Sequence, residues 1–333
     1  MKVKIAAVVA SVAALLVVPS LAVNAQQTSG GAKSETGVAN SVQVSPVRTD
    51  MDLDPGASKT IEVSARNLTP RTVQMRATLN DFEASRDETG EPLVILDDKY
   101  AKAHSLKRLA TISPQIITLG PNEKASVKVT ITAPKSAMAG GYYGVARFLP
   151  ADQVGGEDSG VALSATVGSL VLLKVNGEME QKVTLESMGV SQKGKTGTFF
   201  KTPDNLKVIV RFNNQGNVQE QPFGKVKLTK GDKTLQDVEI NNTDPRGNVL
   251  PDSIRRFEVD LNKVGKFGKY TVEGNFGYGT GELISSKTTF WVVPTTYIIG
   301  GIVGLLLLIG VIFLIVKVIV LSRGGRRPGP RRY

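Results

Sequence analysis

From Ile298 to Val316 the chain runs nineteen residues without a charged or polar side chain, and no other feature restricts its fold so sharply. At 1.5 Å per residue a helix of that length spans about 28 Å, close to the ~30 Å hydrocarbon core of a bilayer. Four of the residues are glycine and the other fifteen are Ile, Leu, Val or Phe. At roughly −0.3 to −0.6 kcal/mol each, those fifteen favour insertion by about 5–9 kcal/mol. Lys317 can snorkel, so the expected transmembrane helix covers residues 297–321. Trp291 and Tyr297 flank it as interface anchors on one side. On the other stand Arg323, Arg326, Arg327, Arg331 and Arg332. The positive-inside rule places this basic tail, 322–333, in the cytoplasm and the preceding chain outside. The expectation is a single-pass protein of the cell membrane, anchored in the lipid bilayer through this helix.

The other terminus agrees. Lys2 and Lys4, an apolar run from Ile5 to Val18, the Pro19-Ser20 break and Val23-Asn24-Ala25 form a signal-peptide pattern over residues 1–25. The formal charge of +11 comes mostly from the two ends, since residues 26–296 hold 33 basic and 30 acidic side chains. That distribution belongs to membrane topology and gives no nucleic-acid face. The absence of cysteine excludes disulfides and thiol chemistry, and a single histidine, His104, excludes paired-His catalysis and a His-rich metal site.

Between the ends the pattern is that of strands. Residues 26–40 are polar, Gly/Ser-rich and aperiodic, a flexible lead-in. In Lys124–Ala133, Ala125, Val127, Val129, Ile131 and Ala133 alternate with Lys124, Ser126, Lys128, Thr130 and Thr132, the period of a half-buried strand. Further strands are expected at Val42–Val47, Thr60–Asn67, Val73–Asn80, Ile116–Leu119, Tyr142–Leu149 and Val161–Val175. Together they make a first immunoglobulin-like β-sandwich over residues 41–176. A second, over 181–293, follows from runs at Leu206–Asn213, Lys225–Lys230, Lys233–Ile240, Arg255–Val259, Tyr270–Phe276 and Lys287–Val293. The fold class is therefore an all-β ectodomain of two tandem sandwiches followed by one C-terminal helix. The charged stretch Asp81–Ala110 interrupts the first sandwich and reads as a functional insertion, the likeliest contact surface of that domain.

There is no nucleophile elbow, P-loop or dinucleotide fingerprint, so the expectation is a non-enzyme without cofactor or metal. Asp50-Met51-Asp52-Leu53-Asp54 opens like a calcium loop, but Pro55 stands where glycine is needed and Ile61 where the bidentate Glu belongs. With aromatics at 6% of the chain, candidates for stacking on a sugar are few. Tyr142 and Tyr143 lead, on opposite faces of their strand. Tyr100 and His104 join them from the insertion as candidate ligand-binding residues.

Ser113–Lys124 (SPQIITLGPNEK) and Ala133–Phe148 (APKSAMAGGYYGVARF), with Asp54-Pro55-Gly56 and Asn67 before them, resemble the N-terminal domain of the WxL-interacting proteins of Gram-positive bacteria. The order of signal peptide, two Ig-like domains, membrane helix and basic tail is similar too. The resemblance implies that the first domain attaches to cell-wall peptidoglycan and the second engages a surface-protein partner. The alternative is a scaffold or chaperone-like assembly factor that takes a partner by strand addition.

Overall fold

The computed structural model describes residues 42–96, 104–151, 167–279 and 282–323. The expected signal peptide and lead-in, Tyr100, residues 161–166 and residues 324–333 of the tail lie outside these residues. The described chain is two β-sandwiches in succession and then one helix.

The first sandwich contains β1 (Val42–Ser45), β2 (Arg48–Leu53), β3 (Ser58–Asn67), β4 (Val73–Ala84), β5 (Pro92–Val94), β6 (Ala110–Ser113), β7 (Ile116–Leu119), β8 (Lys124–Thr132), β9 (Gly140–Pro150) and β10 (Val167–Val175). One sheet has the order β1-β3-β8-β6; the other has β2-β10-β9-β4-β5, with β7 also paired to β4. The alternation in β8 does what its period dictates. Val127, Val129 and Ile131 are fully buried between the sheets, while Lys124 and Lys128 face solvent. The run expected as one strand at Val42–Val47 divides at Pro46, which has no N–H to carry a ladder onward. β1 pairs with β3 in one sheet, and β2 crosses to the other and lies parallel to β10.

Within the Asp81–Ala110 stretch, the described residues 81–96 and 104–110 are tied into the sandwich. β4 continues through it to Ala84, a turn over residues 85–91 returns the chain as β5, and β6 begins at Ala110. Leu106, with no exposed surface, and Ser105, at 4%, are both buried, and Leu106 belongs to the central core. Strand pairing and burial have absorbed the described parts of a segment whose charges read as a loop.

The second sandwich contains β11 (Val183–Gln192), β12 (Lys195–Gly197), β13 (Phe199–Phe200), β14 (Leu206–Asn214), β15 (Phe223–Lys230), β16 (Lys233–Ile240), β17 (Ser253–Asp260), β18 (Gly268–Tyr278) and β19 (Glu282–Val292). Its sheets run β12-β11-β14-β17 and β13-β19-β18-β15-β16. Rings fill its core. Phe212 meets Phe276 edge-on at 5.1 Å, Tyr270 stacks on Phe290 at 5.3 Å, and Phe200 packs on Phe290 at 5.8 Å. These are the offset and T-shaped arrangements that ring quadrupoles favour.

Helix α1 (Thr295–Arg323) begins three residues after β19 ends. It overruns the expected 297–321 by one half-turn at each end, the usual scatter of helix boundaries. Its apolar side chains from Ile298 to Val320 are exposed, uncovered by the other described residues, and the helix is long and apolar enough to cross a membrane.

Candidate functional site: the seam between the sandwiches and an open sheet edge

The outer face of the β4-β9-β10 sheet is apolar where a solvated face would be polar. Phe82, Tyr143, Val145 and Leu172 form a buried cluster on it, closed by Leu250 from the second sandwich. The two sandwiches therefore meet on a packed seam. Around that cluster, polar contacts fix the register. Gly141 N–H donates to the Asn217 carbonyl at 2.8 Å, and Asn217 Nδ2 returns a bond to the Ala139 carbonyl at 3.2 Å. Gly140, at φ +135°, allows this approach, since a Cβ there would lie 2.7 Å from the Asn217 oxygen.

On the other flank the β4–β5 turn reaches the free edge of β17. Glu88 accepts a backbone bond from Arg256 N–H at 2.8 Å, and its carboxylate accepts both Nε (2.6 Å) and Nη2 of Arg211. This two-pronged arrangement is the strong form of an arginine–carboxylate pair. The bond from Arg211 holds the Glu88 carboxyl below its usual range, and the same bond holds the Arg211 guanidinium more firmly protonated. A Cβ at Gly90, which sits at φ +83°, would meet the Arg255 guanidinium at 2.2 Å, so the turn passes close against β17.

The structure distributes the candidate ligand residues unevenly. Alternation does place Tyr142 and Tyr143 on opposite faces, but neither face is open. Tyr142, 4% exposed, enters the first core and donates its hydroxyl to the Met138 carbonyl at 3.0 Å. Tyr143, 8% exposed, packs on Phe82 and donates to Gln219 Oε1 across the seam at 2.9 Å. Burial pushes both phenols above their ordinary pKa. As sugar-stacking rings they are corrected: apolar neighbours on both sides of the sheet have claimed them. His104 packs on Tyr142 at 4.9 Å, its Nδ1 buried without a hydrogen-bond partner among the described residues. It borders a cleft of about 730 Å3 at the seam, lined with Asp81, Glu83, Glu180, Asn217 and Asp252. Tyr100 lies outside the described residues.

His104, Ser105 and Asp81 come close together without forming a catalytic relay. Ser105 donates its hydroxyl to Asp81 Oδ2 at 2.5 Å, and Lys107 N–H donates to Oδ1 at 2.8 Å. The serine proton is thus directed at the carboxylate, and Asp81 serves as the anchor of the returning chain.

No family model matches the chain, and no curated protein matches it. Solved structures similar to it include the YadV chaperone, at 11% identity and a TM-score of 0.35, covering 75% of this chain and 100% of that one. The CupB2 chaperone of Pseudomonas aeruginosa is similar at 11% and 0.34, covering 74% and 98%. The DraB chaperone of Escherichia coli is similar at 13% and 0.33, covering 76% and 97%. Likeness of this degree says nothing about what the chain binds.

A second region carries no sequence motif, because it is a sheet edge. β19 pairs with β18 along all eleven of its residues without a register shift. On its other side β13 covers only Trp291 and Val292. Trp291 N–H donates to the Thr198 carbonyl and Val293 N–H to the Phe200 carbonyl, so odd-numbered residues turn their backbone groups to this side. By that period, Leu283, Ser285 and Lys287 present N–H and C=O groups to an edge on which no strand of the described residues pairs. The side chains alternate as well. Ile284 and Phe290 turn inward, and Leu283 is 73% exposed.

Proposed function

We propose that the chain is a single-pass, membrane-anchored binding protein of the cell envelope, with its ectodomain outside, which takes a protein partner by strand addition on β19. The observation that carries this reading is the unpaired backbone of Leu283, Ser285 and Lys287 on a strand that has no bulge and, between Leu283 and Phe290, one charge. Sheet edges of that kind are normally blunted by charge, bulges or a covering element. The other long edges of this sandwich are blunted in these ways. β16 carries Lys233, Asp237 and Glu239, β11 has an irregular register at Glu186, and β17 is met by the Glu88 carbonyl. An extended segment with apolar residues at alternate positions fits β19. Its backbone completes the ladder, and its apolar side chains cover Ile284, Leu185 and Met188, which pack only partly against the core. A surface-protein partner is also what the resemblance to WxL-interacting proteins implies.

The test is to place a photo-crosslinking residue at Leu283 in cells and compare it with Ser285→Pro and Lys287→Pro backgrounds. Proline removes an outward donor and leaves the bonds to β18 in place. Loss of the crosslinked partner, with an unchanged melting curve, supports strand addition. An undiminished crosslink in both backgrounds overturns it. A second reading, attachment to peptidoglycan, is favoured by the polar seam cleft. It predicts co-sedimentation with purified wall that Asn217→Ala and Asp252→Ala together weaken.

A further inference from the structure

We infer that the helix-proximal end of the second sandwich lies on the bilayer surface and binds anionic lipid headgroups there. This deepens the anchoring reading of α1 and rests on it. The strand registers define the end in question. β19 finishes there opposite the start of β18, and β15 finishes there as well, with Thr229 opposite Thr271. β11 finishes opposite the start of β14, and that start lies opposite the finish of β17. The loops at this end are therefore 193–194, 201–205, 231–232 and 261–267, and α1 leaves from among them.

Two properties single this end out. The first is aromatic exposure. Outside the helix core, the large exposed rings of the described residues are Phe199 (72%), Phe267 (50%), Trp291 (38%), Tyr297 (62%) and Phe223 (43%). Four of the five are at this end: Phe199 sits beside Trp291 in the ladder, and Phe267 packs on Tyr297 at 5.3 Å. Phe223 is at the opposite end, opposite Gly277, with the Arg246 guanidinium over its ring. Rings that stay wet at one end of an otherwise ring-burying sandwich fit the bilayer interface, where such side chains concentrate.

The second property is charge. Lys193, Lys195, Lys201, Lys263, Lys266 and Lys269 are all exposed on these loops and strand ends. The β15–β16 turn adds Lys230 and Lys233 around Asp232. Asp204 is an exposed acid here, and Asp260 is drawn to Lys207 at 3.8 Å. Basic groups therefore outnumber acids severalfold at this end. The opposite end carries Glu178, Glu180, Glu220, Asp244 and Asp252 against Lys182 and Arg246. The slight positive balance of the ectodomain is thus an uneven one, with its basic pole where α1 begins. Lysines within a Debye length of an anionic surface are attracted to it, and the tether fixes this end within that distance.

The chain contains no cysteine, so Thr196→Cys in β12, about a hundred residues from α1 in sequence, accepts a single fluorescent probe. The full chain carrying it is reconstituted into vesicles of phosphatidylcholine alone or with phosphatidylglycerol. The expected result is that quenching by headgroup-labelled lipid rises about twofold in the anionic vesicles and falls back in high salt. Lys195→Glu, Lys263→Glu and Lys266→Glu together should abolish the rise without changing flotation with the vesicles. Equal quenching in both lipids, insensitive to salt and to these substitutions, overturns the inference while the anchor stands. A chain that fails to float after carbonate extraction overturns the anchoring reading, and this inference with it.

Discussion

The two sandwiches share one structural device and differ in almost everything built around it. Asn67 closes β3 and Asn214 closes β14, and both side chains are fully buried. Each Nδ2 donates to the carbonyl four residues on, Arg71 in one case and Val218 in the other. Each also donates to a distant loop: Leu119 and Gly120 in the first sandwich, Val249 in the second. Each Oδ1 accepts the N–H two residues on, from Thr69 or Gly216. Around this shared corner the first sandwich packs a mostly aliphatic core, with Tyr142 and Phe148 as its rings, and puts Phe82 and Tyr143 on an outer face, which makes it a sandwich that needs a neighbour. The second fills its core with rings, exposes others mainly at its helix-proximal end, and leaves a long edge and that basic end open. The first sandwich is therefore held by the second, and the second has the surfaces for outside contacts.

The largest effect should come from the segment that only the first sandwich has. Leu106→Ala removes a side chain with no exposed surface and leaves a cavity in the core, so the expected loss is about 3 kcal/mol. Calorimetry of the full chain in detergent should show the first sandwich melting earlier and the second little changed. An unaltered first transition would mean that the stretch around Leu106 is detachable after all. The shared corner comes next. Asn67→Ala and Asn214→Ala each leave buried carbonyls without a donor, and each should cost about 2 kcal/mol, confined to its own sandwich. Unequal losses would show that the likeness of the two corners is one of geometry and not of energy.

How far these differences could be read from the sequence depends on what set each element. The strands of β8, β16 and the central part of β14 follow period-2 patterns dense enough to give their bounds within a residue or so. Helix α1 needs no neighbour to be recognised, because its length and unbroken apolar run mark it as a candidate membrane span. The anchoring of the described parts of the Asp81–Ala110 stretch is not legible in the sequence, because its partners are distant in sequence. Leu106 is one apolar residue among charges, and Glu88 gains its role from Arg211, 123 positions away. Alternation puts Tyr142 and Tyr143 on opposite faces, but it does not say that a second domain covers one of them. The open edge of β19 leaves no mark on its own residues, since an edge is defined by a strand that is missing. The basic end was present in the sequence as scattered lysines, and only the registers bring them together.

The seam that joins the two sandwiches should also respond to pH. Glu88 has a lowered pKa, so its contribution is complete above the ordinary carboxylate value of about 4.3 and is lost as pH falls through its lowered value. Arg211→Met should cost about 1 kcal/mol at neutral pH, because the pair is only partly covered, and nothing at a pH where Glu88 is protonated. Hydrogen exchange at the β4–β5 turn is the measurement that checks it. Equal exchange at both pH values in the unsubstituted protein would separate the pair from the docking of the turn.

Glu220 should give the smallest effect, with the opposite sign. It lies on the Asn217–Gln221 loop of the second sandwich, 4% exposed, with Oε1 buried and lacking a hydrogen-bond partner among the described residues. Burial raises its pKa, against the opposing influence of a bond from Gln181 and the charge of Lys174. A carboxyl with a raised folded-state pKa costs nothing below the ordinary carboxylate range and destabilises progressively as pH rises toward its own value. Glu220→Gln should therefore stabilise the second sandwich at neutral pH by less than about 1 kcal/mol and leave it unchanged in acid. Glu88 and Glu220 then tilt the seam in opposite directions, Glu88 below the ordinary carboxylate value and Glu220 above it, one from each sandwich. The double variant Glu88→Gln, Glu220→Gln should flatten the pH profile of the second transition more than either single change does. A profile that keeps its slope in the double variant would place the pH response of the seam on other groups.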